Sequence, residues 1–183
     1  MAVSFQELNA LPDILGGGRH ELYFPSIAAI NVKQLMLTNT QVTIPNIGVG
    51  HIKAKLLGHS LGFRGGLSFD NTLNCSFYEL SDGSNVKSLF SWYKLVRNLD
   101  DGTSLLKSQY AANGRFKYIN TLGEPAIEAD LYNMFPVVIT LPEASSENSN
   151  AVEFQVTFNV DKVDIDGTSA SIEDLYEAMR GAG

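Results

Sequence analysis

The strongest constraint on the fold is a run near the carboxyl end in which apolar and polar residues alternate strictly. The apolar members of the run are Val152, Phe154, Val156, Phe158 and Val160, with polar residues at every position between them. A period of two is typical of a β-strand that buries one face and exposes the other. Weaker alternation over residues 73–77 and 127–131 predicts two more strands of the same kind.

Gly, Pro and Asn residues divide much of the remaining chain into short apolar segments. Such punctuation predicts strands separated by turns. The further strand candidates are residues 21–27, 33–40, 50–57, 115–120 and 137–141. The glycine-rich stretch 58–66 (GHSLGFRGG) lacks the Lys and Ser or Thr of a phosphate-binding loop, and it is interpreted as the turn or tip of a long hairpin.

Two segments show the helical period instead. Apolar residues recur at helical spacing over residues 84–97, which predicts one amphipathic helix. Its single tryptophan, Trp92, is expected to be a packing anchor rather than a binding platform. A second, short helix is predicted over residues 171–180, where Ser171 is the cap and Gly181 the stop.

These elements predict a mainly β protein. The expected fold is a β-barrel-like sandwich of antiparallel strands with one flanking α-helix at about 84–97 and a short C-terminal helix at about 171–180. The 183 residues divide into an N-terminal arm (1–19), a β-barrel domain (20–163) and a C-terminal extension (164–183).

The charge balance argues against a protein that grips nucleic acid. Thirteen Lys and Arg residues against twenty Asp and Glu residues give a formal net charge of −7, whereas binding to phosphates normally needs a basic patch. Apolar runs all fall short of a membrane span, and the first residues lack the pattern of a signal peptide. No membrane partner is therefore expected.

The residues that could support catalysis are few and scattered. His51 and His59 are eight positions apart, a spacing that does not match a helical metal site. Cys75 alternates with apolar neighbours, as a small core side chain does. The acidic string 164–173 departs from a calcium loop because Lys162 occupies the first ligand position. We therefore predict no catalytic, cofactor or metal site and no enzymatic activity.

The order of the local patterns resembles a known family. The relevant segments are ELYFPSI (21–27), QLMLTNTQVTIPNIGVG (34–50), GGLSFDNTLNCSFYELSDGS (65–84), SLFSWYKLV (88–96) and YNMFPVVITLPEASSENSNAVEFQVTFNVDKV (132–163). Together they resemble the tail tube proteins of contractile-tailed bacteriophages, which are related in fold to the inner tubes of pyocins and type VI secretion systems.

The resemblance implies a structural role. Six copies would form a ring, and rings would stack into a hollow tube whose channel conducts DNA during ejection without binding it. Partners would be other copies of the chain, the tail sheath protein, and the baseplate and tail terminator proteins. The protein would belong to the virion tail and would assemble in the host cell cytoplasm.

Two sets of residues are candidates for this role. The hairpin expected to reach a neighbouring ring contains Pro45, Asn46, His51, Lys53, His59, Phe63 and Arg64. The channel wall would be lined either by Glu128 and Asp130 on one strand or by Asn74 and Ser76 on another.

Three alternatives stay open at this point. The chain could form the inner tube of a type VI secretion system or pyocin, since the body would be the same. It could instead be a ligand-binding β-sandwich module, which would need exposed aromatic residues such as Trp92 on one face. An enzyme would require the His51 and His59 pair, Cys75 or the 164–173 string to converge on one site.

Overall fold

A computed structural model describes residues 19–24, 32–56, 59–141 and 151–165 of the chain. Within these ranges lie nine strands and three helices. In chain order they are β1 (His20–Tyr23), α1 (Val32–Thr38), β2 (Asn39–Thr43), β3 (Ile47–Leu56), β4 (His59–Phe69), β5 (Thr72–Tyr78), α2 (Ser84–Val96), α3 (Lys107–Tyr110), β6 (Ala112–Ile119), β7 (Pro125–Thr140), β8 (Glu153–Asn159) and β9 (Lys162–Ile165).

Seven of the strands form one antiparallel sheet. Six of them follow the order β1-β6-β7-β8-β5-β2, and β9 also pairs with β7. The 16-residue strand β7 is the spine of this sheet: its first part pairs with β6 and β9, and its second part pairs with β8. The predicted mainly β, antiparallel fold is confirmed, and the sheet is not a closed barrel.

A bulge in β7 divides the sheet into two halves. Gly114 of β6 pairs with Leu131 of β7, and Ala112 pairs with Met134. Over this stretch β6 advances by two residues while β7 advances by three. The extra residue is accommodated at Asn133, whose φ of 53° lies in the left-handed region. Because a bulge increases local bend and twist, the two halves can enclose one core.

The core is apolar and includes many aromatic residues. Its largest fully buried side chains are Trp92, Phe77, Phe116, Phe154 and Phe158. The indole Nε1 of Trp92 donates a hydrogen bond of 2.7 Å to the carbonyl oxygen of Tyr110, so the polar edge of this buried ring has a partner. Trp92 is the packing anchor that the sequence predicts.

The start of α2 is capped from outside the helix. The Glu79 carboxylate accepts hydrogen bonds from the backbone N–H groups of Asn85 (3.1 Å) and Val86 (2.8 Å). These are among the donors that a helix leaves free at its amino end, and an acidic side chain there also complements the helix dipole. The predicted helix over 84–97 is confirmed.

The predicted strand over 33–40 is wrong. Residues Val32–Thr38 form the helix α1, and strand β2 begins only at Asn39. Val32, Leu35 and Met36 share one face of α1 and pack on the core, with Leu35 fully buried. Short apolar runs fit both periods, and here contact with the core favours the helix.

Other predictions differ from the structure or lie outside it. Segments 127–131 and 137–141 belong to the single strand β7. Residues 59–66 form part of strand β4, so the hairpin reverses earlier, between Leu56 and His59. The predicted helix 171–180 and almost all of the N-terminal arm and C-terminal extension lie outside the described residues. Strand β9 (Lys162–Ile165) spans the predicted boundary at residue 163, and the division into arm, domain and extension stays a prediction.

Candidate functional site

Strands β3 and β4 form a hairpin that stands apart from the main sheet. Within the described residues they pair with each other only, in a register that runs from Ile47 opposite Phe69 to Leu56 opposite His59. Pro45 is buried at the base of the hairpin. The side chain of Asn46 donates a hydrogen bond of 3.0 Å to the Asp70 carboxylate, which closes the base.

A bulge lies partway along this hairpin. Between Val49 and His51, strand β3 advances two residues while β4 advances three. The backbones are so close here that a Cβ atom added at Gly65 would lie 2.7 Å from the carbonyl carbon of Gly50. Real Cβ atoms essentially never make such a contact, so the bulge requires glycine at position 65.

Beyond the bulge, the two faces of the hairpin differ in chemistry. Side chains alternate between faces along a strand, and directly paired residues share a face. The register therefore places His51, Lys53, Lys55 and Arg64 on one face, which we call the basic face. It places Ile52, Ala54, Leu61 and Phe63 on the other, the apolar face. Ile52 and Phe63 are 60% and 51% exposed.

The hairpin also carries a different charge from the rest of the chain. Residues 22–69 contain no Asp or Glu, and the hairpin from Ile47 to Phe69 contains three Lys and Arg residues. Its formal charge is therefore +3. Subtracting this charge from the net −7 of the chain leaves −10 on all other residues. Such a separation of charge favours contact between the hairpin of one copy and the body of another.

The histidine and cysteine candidates for catalysis are not brought together, and the 164–173 string lies almost wholly outside the described residues. His51 lies on the basic face, whereas His59, opposite Leu56, lies on the apolar face. Cys75 is buried, and burial raises the pKa of its thiol far above the ordinary value. In the part of the chain that the structure describes, no group of three or more His, Cys, Asp or Glu residues is placed to hold a metal ion.

The first pair of channel candidates, Glu128 and Asp130, lies on the outer face of the sheet next to cations. Arg115 binds both carboxylates: its Nε lies 2.6 Å from Asp130 Oδ1, and its Nη1 lies 3.2 Å from Glu128 Oε2. Lys117 adds a contact of 3.2 Å to Glu128. These carboxylates therefore belong to a paired, nearly neutral network rather than a free acidic surface.

The second pair of channel candidates lies on the outer face of the other half of the sheet. Asn74 is exposed and accepts a hydrogen bond of 2.8 Å from the hydroxyl of Thr157, whereas Ser76 is only 5% exposed. Their cross-strand neighbours Gln41, Thr43, Gln155 and Thr157 are also uncharged. Around these two residues the face presents hydroxyl and amide groups, and its charged member is Glu153, exposed and opposite Tyr78.

One apolar groove was not predicted from the sequence. It encloses about 270 Å³ between α2 and the second part of β7, and it is lined by Phe90, Tyr93, Leu99, Val137, Val138 and Ile139. Phe90 lies in the apolar pattern of α2, yet its side chain is 39% exposed. The adjacent Val137 and Val138 could have indicated an exposed apolar surface. Neighbouring residues on a strand normally point to opposite faces, so one of the two valines should point away from the core.

Comparisons with solved structures identify the fold. Neither a protein-family model nor a curated protein matches the sequence. A chain from the extended sheath-tube complex of the extracellular contractile injection system PVC is 13% identical, with a TM-score of 0.59 over 90% of this chain and 98% of that chain. A chain from the anti-feeding prophage tube-terminating cap is 15% identical, with a TM-score of 0.62 over 85% and 93%.

A third match comes from the anti-feeding prophage baseplate. It is 11% identical, with a TM-score of 0.61 over 87% of this chain and 99% of that chain. At these identities the likeness concerns the fold. The chain has the fold of the tube proteins of contractile injection systems, as the resemblance in the sequence implied.

Proposed function

We propose that this chain is the tube subunit of a contractile injection machine, a phage tail in the first instance. Six copies form a ring, and rings stack into a hollow tube through which DNA leaves the virion. The observation that carries this proposal is the nearly complete overlap, in both directions, with a chain of a sheath-tube complex. Partners are further copies, the tail sheath, the baseplate and the tail terminator, and no chemical reaction is involved.

The hairpin provides the means of assembly. The ten residues of β3 span about 33 Å at the usual rise of about 3.3 Å per residue. A two-stranded hairpin is marginally stable alone in water, so this long, exposed element is suited to contact a neighbouring copy. Contact between unlike surfaces of identical chains generates closed rings or open stacks.

Either outer face of the sheet would suit the channel wall. The network of Glu128 and Asp130 has its charges paired, and the face of Asn74 and Ser76 is polar with Glu153 as its carboxylate. Neither face presents the excess of cations that holds phosphates, so DNA would slide past without being bound. Residue-level imaging of the tube would distinguish the two faces.

The experiment that tests this function is imaging of the purified protein. The chain is concentrated and examined by negative-stain electron microscopy, and mass photometry of the same sample counts the subunits. Hollow rings of six subunits, or tubes made of them, are expected. Compact monomers that persist after a baseplate extract has been added as a nucleus would refute the proposal.

An injection tube outside a phage, such as the inner tube of a type VI secretion system or pyocin, is the second candidate. It is favoured by the matches to structures named for an extracellular contractile injection system and an anti-feeding prophage. Particles purified from a producing cell separate the two functions, because a phage tail is attached to a DNA-filled head. The ligand-binding alternative loses its main support, since Trp92 is fully buried.

A further inference from the structure

The apolar face of the hairpin and the apolar groove are complementary surfaces on the same chain. We infer that the apolar face of one copy docks into the groove, between α2 and β7, of a second copy. This inference rests on the proposed function and specifies which surfaces join two subunits. Phe63 is the largest side chain of the apolar face, and it is the residue that the groove would receive.

The groove suits side chains better than a free ligand. Leu99 is 60% exposed and Val138 is 49% exposed, so apolar surface faces solvent along its length. Its volume of about 270 Å³ is below the range of about 300 to 1,000 Å³ that is usual for small-molecule pockets. Contiguous exposed apolar surface of this kind typically marks a protein contact.

The chain does not fill its own groove in the part that the structure describes. None of the residues that line it belongs to the hairpin, and the side chains of Ile52, Leu61 and Phe63 are exposed. Burying both surfaces against each other removes apolar area from water, which favours association. As far as the described residues go, the two surfaces are therefore open to contact between copies.

Charge argues for a second copy as the occupant. The hairpin carries +3 and the rest of the chain −10, so two hairpins repel each other while a hairpin and a body attract. Asp100 and Asp101, which follow Leu99 at the end of the groove, are exposed. The Lys and Arg side chains of the hairpin lie on its basic face, so this attraction acts at long range and draws the hairpin toward an acidic body.

The contact joins unlike surfaces, and this allows a complementation test. Phe63→Asp disables the hairpin and keeps the groove, whereas Val138→Asp disables the groove and keeps the hairpin. Each variant alone should stay monomeric. A mixture should form complexes of one copy of each variant and grow no further, because the two surfaces that remain are both disabled. Mass photometry of the single and mixed samples measures this directly.

The matched control places the same charge on exposed apolar surface elsewhere. Leu122 is 81% exposed in the turn before β7 and does not line the groove. Leu122→Asp should assemble as the unchanged protein does. Circular dichroism and thermal melting of all three variants check that each is folded, since all three positions are exposed to solvent.

The outcomes separate this inference from the proposed function. A mixture that remains monomeric overturns the docking inference, as does unchanged self-assembly of either single variant. If the unchanged chain forms tubes while the mixture does not pair, the tube function stands and the docking surfaces are wrong. If the mixture pairs while the unchanged chain and Leu122→Asp never form rings, the docking is right and the tube function is wrong.

Discussion

The Nε2 atom of His20 lies 2.7 Å from the Oδ1 atom of Asn39, and this contact joins the two ends of the main sheet. His20 is on β1 and Asn39 is on β2, the first and last strands of the sheet order. The amide nitrogen of Asn39 donates to the carbonyl oxygens of Ser76 and Gln41. Its oxygen therefore faces the imidazole, which donates from Nε2. Side chains thus bridge the seam between β1 and β2, the two edge strands, which are not paired with each other through their backbones.

Removal of this bridge should loosen the seam. Asn39→Ala eliminates the hydrogen bonds to His20 and to the Ser76 carbonyl, both partly buried, and should lower the free energy of unfolding by about 1 to 2 kcal/mol. Urea denaturation measures this change. Gln41→Ala, an exposed position on the same strand, is the control and should change stability by less than about 0.5 kcal/mol. Equal effects of the two substitutions would contradict a specific role of the bridge.

A second prediction concerns the glycine at the hairpin bulge. Gly65→Ala places a Cβ atom 2.7 Å from the carbonyl carbon of Gly50, so the two strands must separate locally. Gly66→Ala is the control, because a Cβ atom there meets no atom within 4 Å. Hydrogen exchange should speed up in β3 and β4 of the first variant only, and its main sheet should keep its protection. Equal exchange in both variants would show that the close approach does not constrain the hairpin.

The strict alternation of residues 152–160 was enough to predict β8, because one buried face leaves a clear period of two. The helical period likewise predicted α2. Helix α1 was missed because its apolar residues Leu35, Leu37 and Met36 fit a strand as well as a helix. Only packing of Leu35 in the core distinguishes these possibilities, and packing depends on distant residues.

The candidate surfaces were harder to predict than the strands. The Gly, Pro and Asn residues that bound the hairpin segment were enough to predict it. Its two faces, however, depend on a bulge that shifts the pairing of β4 with β3. A shift of one residue in the pairing moves a side chain to the other partner face, so sequence alone could not show that Phe63 shares its face with Ile52 rather than with His51. The groove combines residues of α2 and β7 that are more than 40 positions apart, and only the fold brings them together.

The third prediction concerns the core. Trp92→Phe leaves the carbonyl of Tyr110 without its donor and removes part of a fully buried ring, so stability should fall by about 2 to 4 kcal/mol. Tyr93→Phe, at the next helix position and partly exposed, should cost far less. Thermal melts followed by circular dichroism provide the comparison. A small effect of Trp92→Phe would show that the indole ring contributes little to the stability of the core.

The last prediction concerns pH and the carboxylate of Asp161. Hydrogen bonding by Lys107 at 2.6 Å, supported by Asn133 and Asn159, holds the pKa of Asp161 below its usual value. A carboxyl whose pKa is lower in the folded state stabilises the fold above its unfolded pKa of about 3.9 and loses that contribution as the pH falls through the folded pKa. Asp161→Asn should therefore be less stable than the unchanged chain at pH 7, and the difference should shrink below about pH 4. Urea midpoints of both proteins between pH 7 and pH 2 measure this, with Asp164→Asn, whose side chain is 45% exposed, as the control. A difference that stays constant over this range would show that ionisation of Asp161 does not contribute.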